Sequence, residues 1–124
     1  MHDLFLKEEA YQIIGICMEV HNILGKGHSE VIYEDALEYE FTWNNIPFKR
    51  EVKYNIIYKD IILPHHYFAD FVAYHEIIFE IKTIQSISTR EIKQTLNYLA
   101  ASKNKLGLLV NFGEDSLKYK RIIL

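Results

Sequence analysis

Asp70, Glu80 and Lys82 stand inside runs that are otherwise apolar, in the stretch "FADFVAYHEIIFEIK" from residue 68 to residue 82. Side chains alternate faces along a strand. Glu80 and Lys82 therefore share one face, and His66, Phe68 and Asp70 share a face of the preceding strand. A three-residue turn at Tyr74-His75-Glu76 sets Asp70 opposite Glu80 in an antiparallel pair, with Cβ atoms about 4.5–5.5 Å apart. Two carboxylates so placed repel, and each loses hydration on burial. Lys82 is one group that offsets this, and a divalent ion is another. Oxygen ligands from two carboxylates suit Mg2+ or Mn2+, which keep several waters and bind phosphate. An ion held there polarises a phosphate oxygen and acidifies water. An adjacent ammonium orients that water or stabilises charge growing on the phosphate. The alternative is a partly buried ion network of Glu80 and Lys82 with Asp70 near the sheet edge.

Such a hairpin needs a folded frame. The chain has 124 residues, 49% hydrophobic and 25% charged, which suits one compact domain over 1–124. The single Cys17 excludes an intramolecular disulfide and fits a reducing cytoplasm. The opening residues "MHDLFLKEEA" turn charged too early for a signal peptide, and no apolar run approaches the roughly 20 residues of a membrane span. The net charge of −3, 17 acids against 14 bases, weighs mildly against an electrostatic grip on nucleic acid. It weighs less if carboxylates hold cations.

The first predicted helix runs from about Leu6 to Leu24, on a stripe of Ala10, Ile13, Ile14, Cys17, His21 and Leu24, and stops at Gly25-Lys26-Gly27. A second runs from about Ser29 to Asn44 behind an N-cap at Ser29 or His28, with a stripe of Tyr33, Leu37 and Phe41 beside Ala36. Stepping back three residues from Tyr33 puts Glu30 on the stripe's side of the first turn. There it is a first-turn charge favoured by the helix dipole or an inward-pointing functional acid. Strands are expected over 48–58, 61–74 and 76–83. Pro64 places the start of the second at an edge or bulge, and the apolar run of the third makes it central. Ser88 with Glu91 forms a capping box for a helix over 89–104 with Ile92, Leu96 and Leu99 on its stripe. A buried strand over 106–112 and a short final strand complete the order ααβββαββ, an α/β arrangement in two or three layers around a mixed sheet.

Asp70, then Glu80-Ile81-Lys82, is D-x9-E-x-K, and it resembles the signature of the PD-(D/E)xK nuclease superfamily. Gly27-His28-Ser29-Glu30-Val31-Ile32-Tyr33 spells GxxExxY, the pattern of the GxxExxY family within that superfamily. "EVHNILG", "YEDAL", "FADFV", "FEIKT", "QTLNYL" and "LGLLVNF" follow the same family in the same order, so the resemblance covers nearly the whole chain. It implies a nuclease-like core, Asp70 and Glu80 as metal ligands, Lys82 as the catalytic lysine and Glu30 as a further acid at the metal. It also implies a substrate-binding role for Gln94 and Tyr98, which their i, i+4 spacing puts on one helix face. The residue before Asp70 is Ala69 where the family often has Pro.

Other residues read more plainly. His65 and His66 are adjacent on a strand, point to opposite faces and cannot share one ion; they are surface histidines. His21 is a packed histidine and Cys17 a structural thiol. Lys49, Arg50, Lys53, Lys59, Arg90, Lys93, Lys103 and Lys105 fit a phosphate-tracking surface or a solvated exterior equally well. The expected function is a Mg2+- or Mn2+-dependent nuclease acting on DNA. The alternative is an inactive module of the same fold that binds nucleic acid or a protein partner. A homo-oligomer is compatible with either, and no membrane role is expected.

Overall fold

The computed structural model describes residues 6–124; residues 1–5, which open the segment read against a signal peptide, lie outside the described residues. The elements run α1 (Lys7–Leu24), α2 (Glu30–Trp43), β1 (Phe48–Tyr58), β2 (Ile61–Ala73), β3 (Ile77–Lys82), α3 (Thr89–Ser102), β4 (Leu106–Asn111) and β5 (Lys118–Ile123). The five strands lie side by side in sequence order. All neighbours are antiparallel except β3 and β4, which are parallel and joined through α3. A parallel pair needs such a long crossover, whereas the antiparallel pairs close through short turns.

Three layers result. On one face of the sheet, Ile13, Cys17, Tyr33, Leu37 and Phe41 from α1 and α2 pack on Phe71, Phe79, Ile81 and Val110. On the other, Tyr98 and Leu99 of α3 pack on Ala69, Ile78, Leu109 and Ile122. β3 and β4 have core on both sides, which is why their sequences read as continuous apolar runs. No helix among the described residues is long and apolar enough to cross a membrane.

Two helix ends follow the expected chemistry, whereas Ser29 stands at the N-cap of α2 without a side-chain capping bond. α1 stops at Gly25, whose φ of 69° suits a residue without Cβ. Ser88 caps α3 and exchanges bonds with Glu91 in a complete capping box. Between β2 and β3, Tyr74 and His75 both take positive φ, and the Glu76 amide closes the turn on the Ala73 carbonyl at 3.1 Å. β1 and β2 run on well past β3, which pairs with β2 only through Phe71, Val72 and Ala73. The start of β2 is therefore a free edge on one side, the position Pro64 required.

Candidate active site

The site forms where the β2–β3 ladder ends. Phe71 faces Phe79 and Ala73 faces Ile77; one further step in this register sets Asp70 across from Glu80. The main-chain pairing is replaced there by the two side chains. The Asp70 amide donates to Glu80 Oε2 at 2.8 Å, and the Ile81 amide donates to Asp70 Oδ2 at 2.8 Å. Each carboxylate uses one oxygen in this exchange and keeps acceptor capacity on the other. The paired-acid expectation is thus realised as a reciprocal clasp that fixes both carboxylates on rigid strands.

Strict alternation fails at this level. Ala69 packs under α3 while Phe71 and Ala73 pack under α1 and α2, although all three would share a face on a regular strand. β1 behaves alike, with Phe48 on one core and Val52 and Tyr54 on the other. The residue that makes the switch is Glu51, at φ 57° between Arg50, which faces Phe71, and Val52, which faces Ala69. Left-handed backbone is unfavourable for a residue with a Cβ. The grouping of Asp70 with His66 and Phe68 by parity does not run through this break. His66 is exposed with its ring edge-on to Phe68 at 5.0 Å.

The switch aims a second set of acids at Asp70. Glu34, Glu51 and Asp70 each offer a carboxylate oxygen, all within 4.8 Å of one another. Glu34 comes from α2 one turn after Glu30 and is 6% exposed. Arg50 reaches back across it, with Nε 3.5 Å from Glu34 and Nη1 2.9 Å from Asp35 and 3.4 Å from Glu38. Glu30 itself is half-buried, and its charge is felt at Asp70.

Crowding and burial bias these groups toward the protonated form. Burial, then the Asp70 charge, lifts Glu34 to about 7, with the nearby Arg50 pulling the other way. Burial raises both Asp70 and Glu80 well above the usual carboxylate range, and the Asp70 charge adds to the effect on Glu80. Crowded carboxylate oxygens whose ionisation is opposed by burial match the donor set of a hard divalent ion, whose charge would relieve that opposition. The residues present fit such an ion at Asp70, with Glu34 and Glu51 oxygens within 4.8 Å and Glu80 joined to Asp70 through the clasp.

Lys82 and Glu80 occupy alternate positions with Ile78, which packs under α3, so both look to the α3 layer. Tyr98 of α3 is buried there against Tyr67, ring centroids 4.7 Å apart, and burial, Glu80 and Asp70 push its hydroxyl up to about 12. Gln94, one turn earlier, is exposed. The chain that leaves Lys82 is held by β4. The Phe112 amide donates to the Lys82 carbonyl at 2.8 Å. The side chain of fully buried Asn111 accepts from the Ile84 and Gly113 amides and donates to the Ile84 carbonyl and Glu114 Oε2, at 2.8–3.0 Å. A Cβ on Gly113 would come within 2.4 Å of the Ile84 carbonyl oxygen, so only glycine fits there.

The structure brings Asp70, Glu80, Lys82 and Tyr98 to one place and adds Glu34, Glu51 and Asn111. Glu34 was within reach of sequence reasoning, three residues before Leu37 on the apolar stripe. Glu51 was not, because alternation assigns it to solvent with Lys49 and Lys53. Cys17 is buried, which pushes its thiol far up, away from any nucleophilic role.

No curated protein matches the chain. Among solved structures, one titled "Crystal structure of SSO0001" is similar in fold, with a TM-score of 0.61 and 23% identity over 74% of this chain. The matched region is 48% of that protein, so this chain spans about half its length. The profile of the PD-(D/E)XK nuclease superfamily matches residues 7–122. With Asp70 and Glu80 of the D-x9-E-x-K pattern clasped across adjacent strands of a three-layer fold, the chain belongs to the PD-(D/E)XK nuclease superfamily.

Proposed function

We propose that this chain is a metal-dependent nuclease of the GxxExxY branch that hydrolyses phosphodiester bonds of DNA with Mg2+ or Mn2+. The observation that carries the reading is the Asp70–Glu80 clasp with Glu34 and Glu51 crowded onto Asp70. Asp70 and Glu80 hold the ion, with Glu30, Glu34 and Glu51 as the acids within its field. The bound ion supplies Lewis-acid polarisation of the phosphate and acidification of water. Lys82 adds a fixed positive charge beside Glu80, where negative charge grows on the scissile phosphate. Gln94 and Tyr98 bind substrate from the helix above. Main-chain bonds already position the Asp70 and Glu80 carboxylates on the strands, which limits the reorganisation they need during the reaction.

The test is cleavage of supercoiled and linear DNA in Mg2+ or Mn2+ by wild type, Glu80→Ala and Lys82→Ala. Wild type should cleave and Glu80→Ala should not. Lys82→Ala should lose about 10²–10³-fold in rate while Mn2+ affinity persists, since both carboxylates remain. Equal cleavage by wild type and Lys82→Ala would remove the lysine from the mechanism. A wild-type protein that cleaves no nucleic acid with either ion would leave a binding module of the nuclease fold.

A further inference from the structure

The two helical layers differ in charge. α2 carries Glu30, Glu34, Asp35, Glu38 and Glu40 and no basic residue. Across the sheet, α3 exposes Arg90, Lys93, Gln94 and Asn97, with Lys103 exposed at its C-cap. These helix positions recur at three- and four-residue steps and so form one face. The only acid of α3, Glu91, is turned back into the capping box with Ser88. Glu80 and Lys82 look to this same layer. Beside it the overhanging β1–β2 hairpin leaves a cleft of about 330 Å3, lined in part by Ile57, Tyr67, Asn97 and Lys103. The α2 and α3 surfaces are separated by the sheet and by helices each about 10 Å across. Glu30 and Glu34 turn in toward Asp70, while Asp35, Glu38 and Glu40 stay on the outer α2 face across the sheet from α3.

We infer that the nucleic-acid backbone lies along the exposed face of α3, with its phosphates on Arg90, Lys93 and Lys103, and that the α2 face is closed to it by charge. The inference rests on the nuclease reading and assigns the side from which substrate arrives. The shared chemistry is the phosphodiester backbone, in a single strand or a duplex.

The test is fluorescence anisotropy of labelled single-stranded and duplex oligonucleotides in EDTA, so that no cleavage intervenes, over a series of salt concentrations. Whichever form wild type binds more tightly should bind Arg90→Glu/Lys93→Glu at least tenfold more weakly. The salt slope should fall by about 1.4–1.8, as for two lost phosphate contacts. The milder Arg90→Gln/Lys93→Gln should lose less, and Glu40→Lys on α2 should bind as wild type does. A wild type that binds DNA while the α3 variants bind equally well overturns the surface assignment and leaves the nuclease reading standing. Tighter binding by Glu40→Lys than by wild type also overturns it. A wild type that neither binds nor cleaves overturns both.

Discussion

The charge state of Glu34 follows from where α2 puts it. The side chain is nearly buried, beside Asp70 and Glu51, with the Nε of Arg50 in compensation. Its folded value of about 7 lies above the ordinary 4.5, so ionising it at pH 8 works against the fold. Glu34→Gln keeps the shape and removes that charge. Without metal at pH 8 it should raise stability, on the order of 1 kcal/mol once the lost attraction to Arg50 is set against the relief. With Mn2+ it should bind the ion at least about tenfold more weakly, about 1.4 kcal/mol. Melting curves in EDTA and in saturating Mn2+ report both effects; a variant that melts lower in EDTA contradicts the charge assignment. The residues that sequence could identify were those whose burial contradicted their type, namely Asp70, Glu80 and Lys82 in apolar runs. Glu51 escaped because its role depends on one backbone angle that no local pattern encodes.

At the level of elements, two devices hold the site, and both lie where strands depart from regularity. The first is the left-handed turn at Glu51 inside β1. Such a conformation in a residue with Cβ costs on the order of 1–2 kcal/mol, and here it rotates β1 and β2 so that acids meet. Glu51→Gly should therefore be more stable than wild type without metal, by about 1 kcal/mol, yet bind Mn2+ more weakly. Glu51→Val, with its branched Cβ in the same backbone, should be less stable than either. Denaturant unfolding of the three proteins in EDTA checks the order, and a Glu51→Val protein as stable as Glu51→Gly would show that the angle stores no strain. The second device is Asn111, whose amide accepts from and donates to Ile84 in the segment after Lys82 and ties it to Gly113 and Glu114 in the loop after β4. Asn111→Ala strands the Ile84 amide and carbonyl and should cost about 2–3 kcal/mol, measured by the same unfolding. Helices and strands were legible from periodicity, the capping box and the glycine at the end of α1. The face switch of the hairpin and the Asn111 clamp were not, since both depend on residues brought together from distant segments.

For the whole molecule, the acids of the site set how stability varies with pH. Glu34, Asp70 and Glu80 all have folded values raised by burial and by repulsion from neighbouring carboxylates. A carboxyl group raised in this way binds its proton more tightly folded than unfolded. Its contribution is fully present below the ordinary value near 4 and is lost as pH rises through the folded value. Glu91 and Asp115 are lowered by Ser88 and Lys26 respectively, so their contributions are lost only as pH falls into the acid range. Both are exposed groups whose effect is screened. Metal-free protein should thus be most stable near pH 5 and should melt at steadily lower temperature from pH 5 to pH 9. A divalent ion replaces the protons, so saturating Mn2+ should flatten or reverse this slope. The same exchange predicts that binding at pH 7 releases roughly one to two protons per ion. Calorimetric titration with Mn2+ in buffers of different ionisation enthalpy measures that number directly. Zero protons released, together with a melting temperature in EDTA that does not change between pH 5 and 9, would mean that the clustered acids are already ionised in the free fold. The ion would then gain nothing by displacing protons from them.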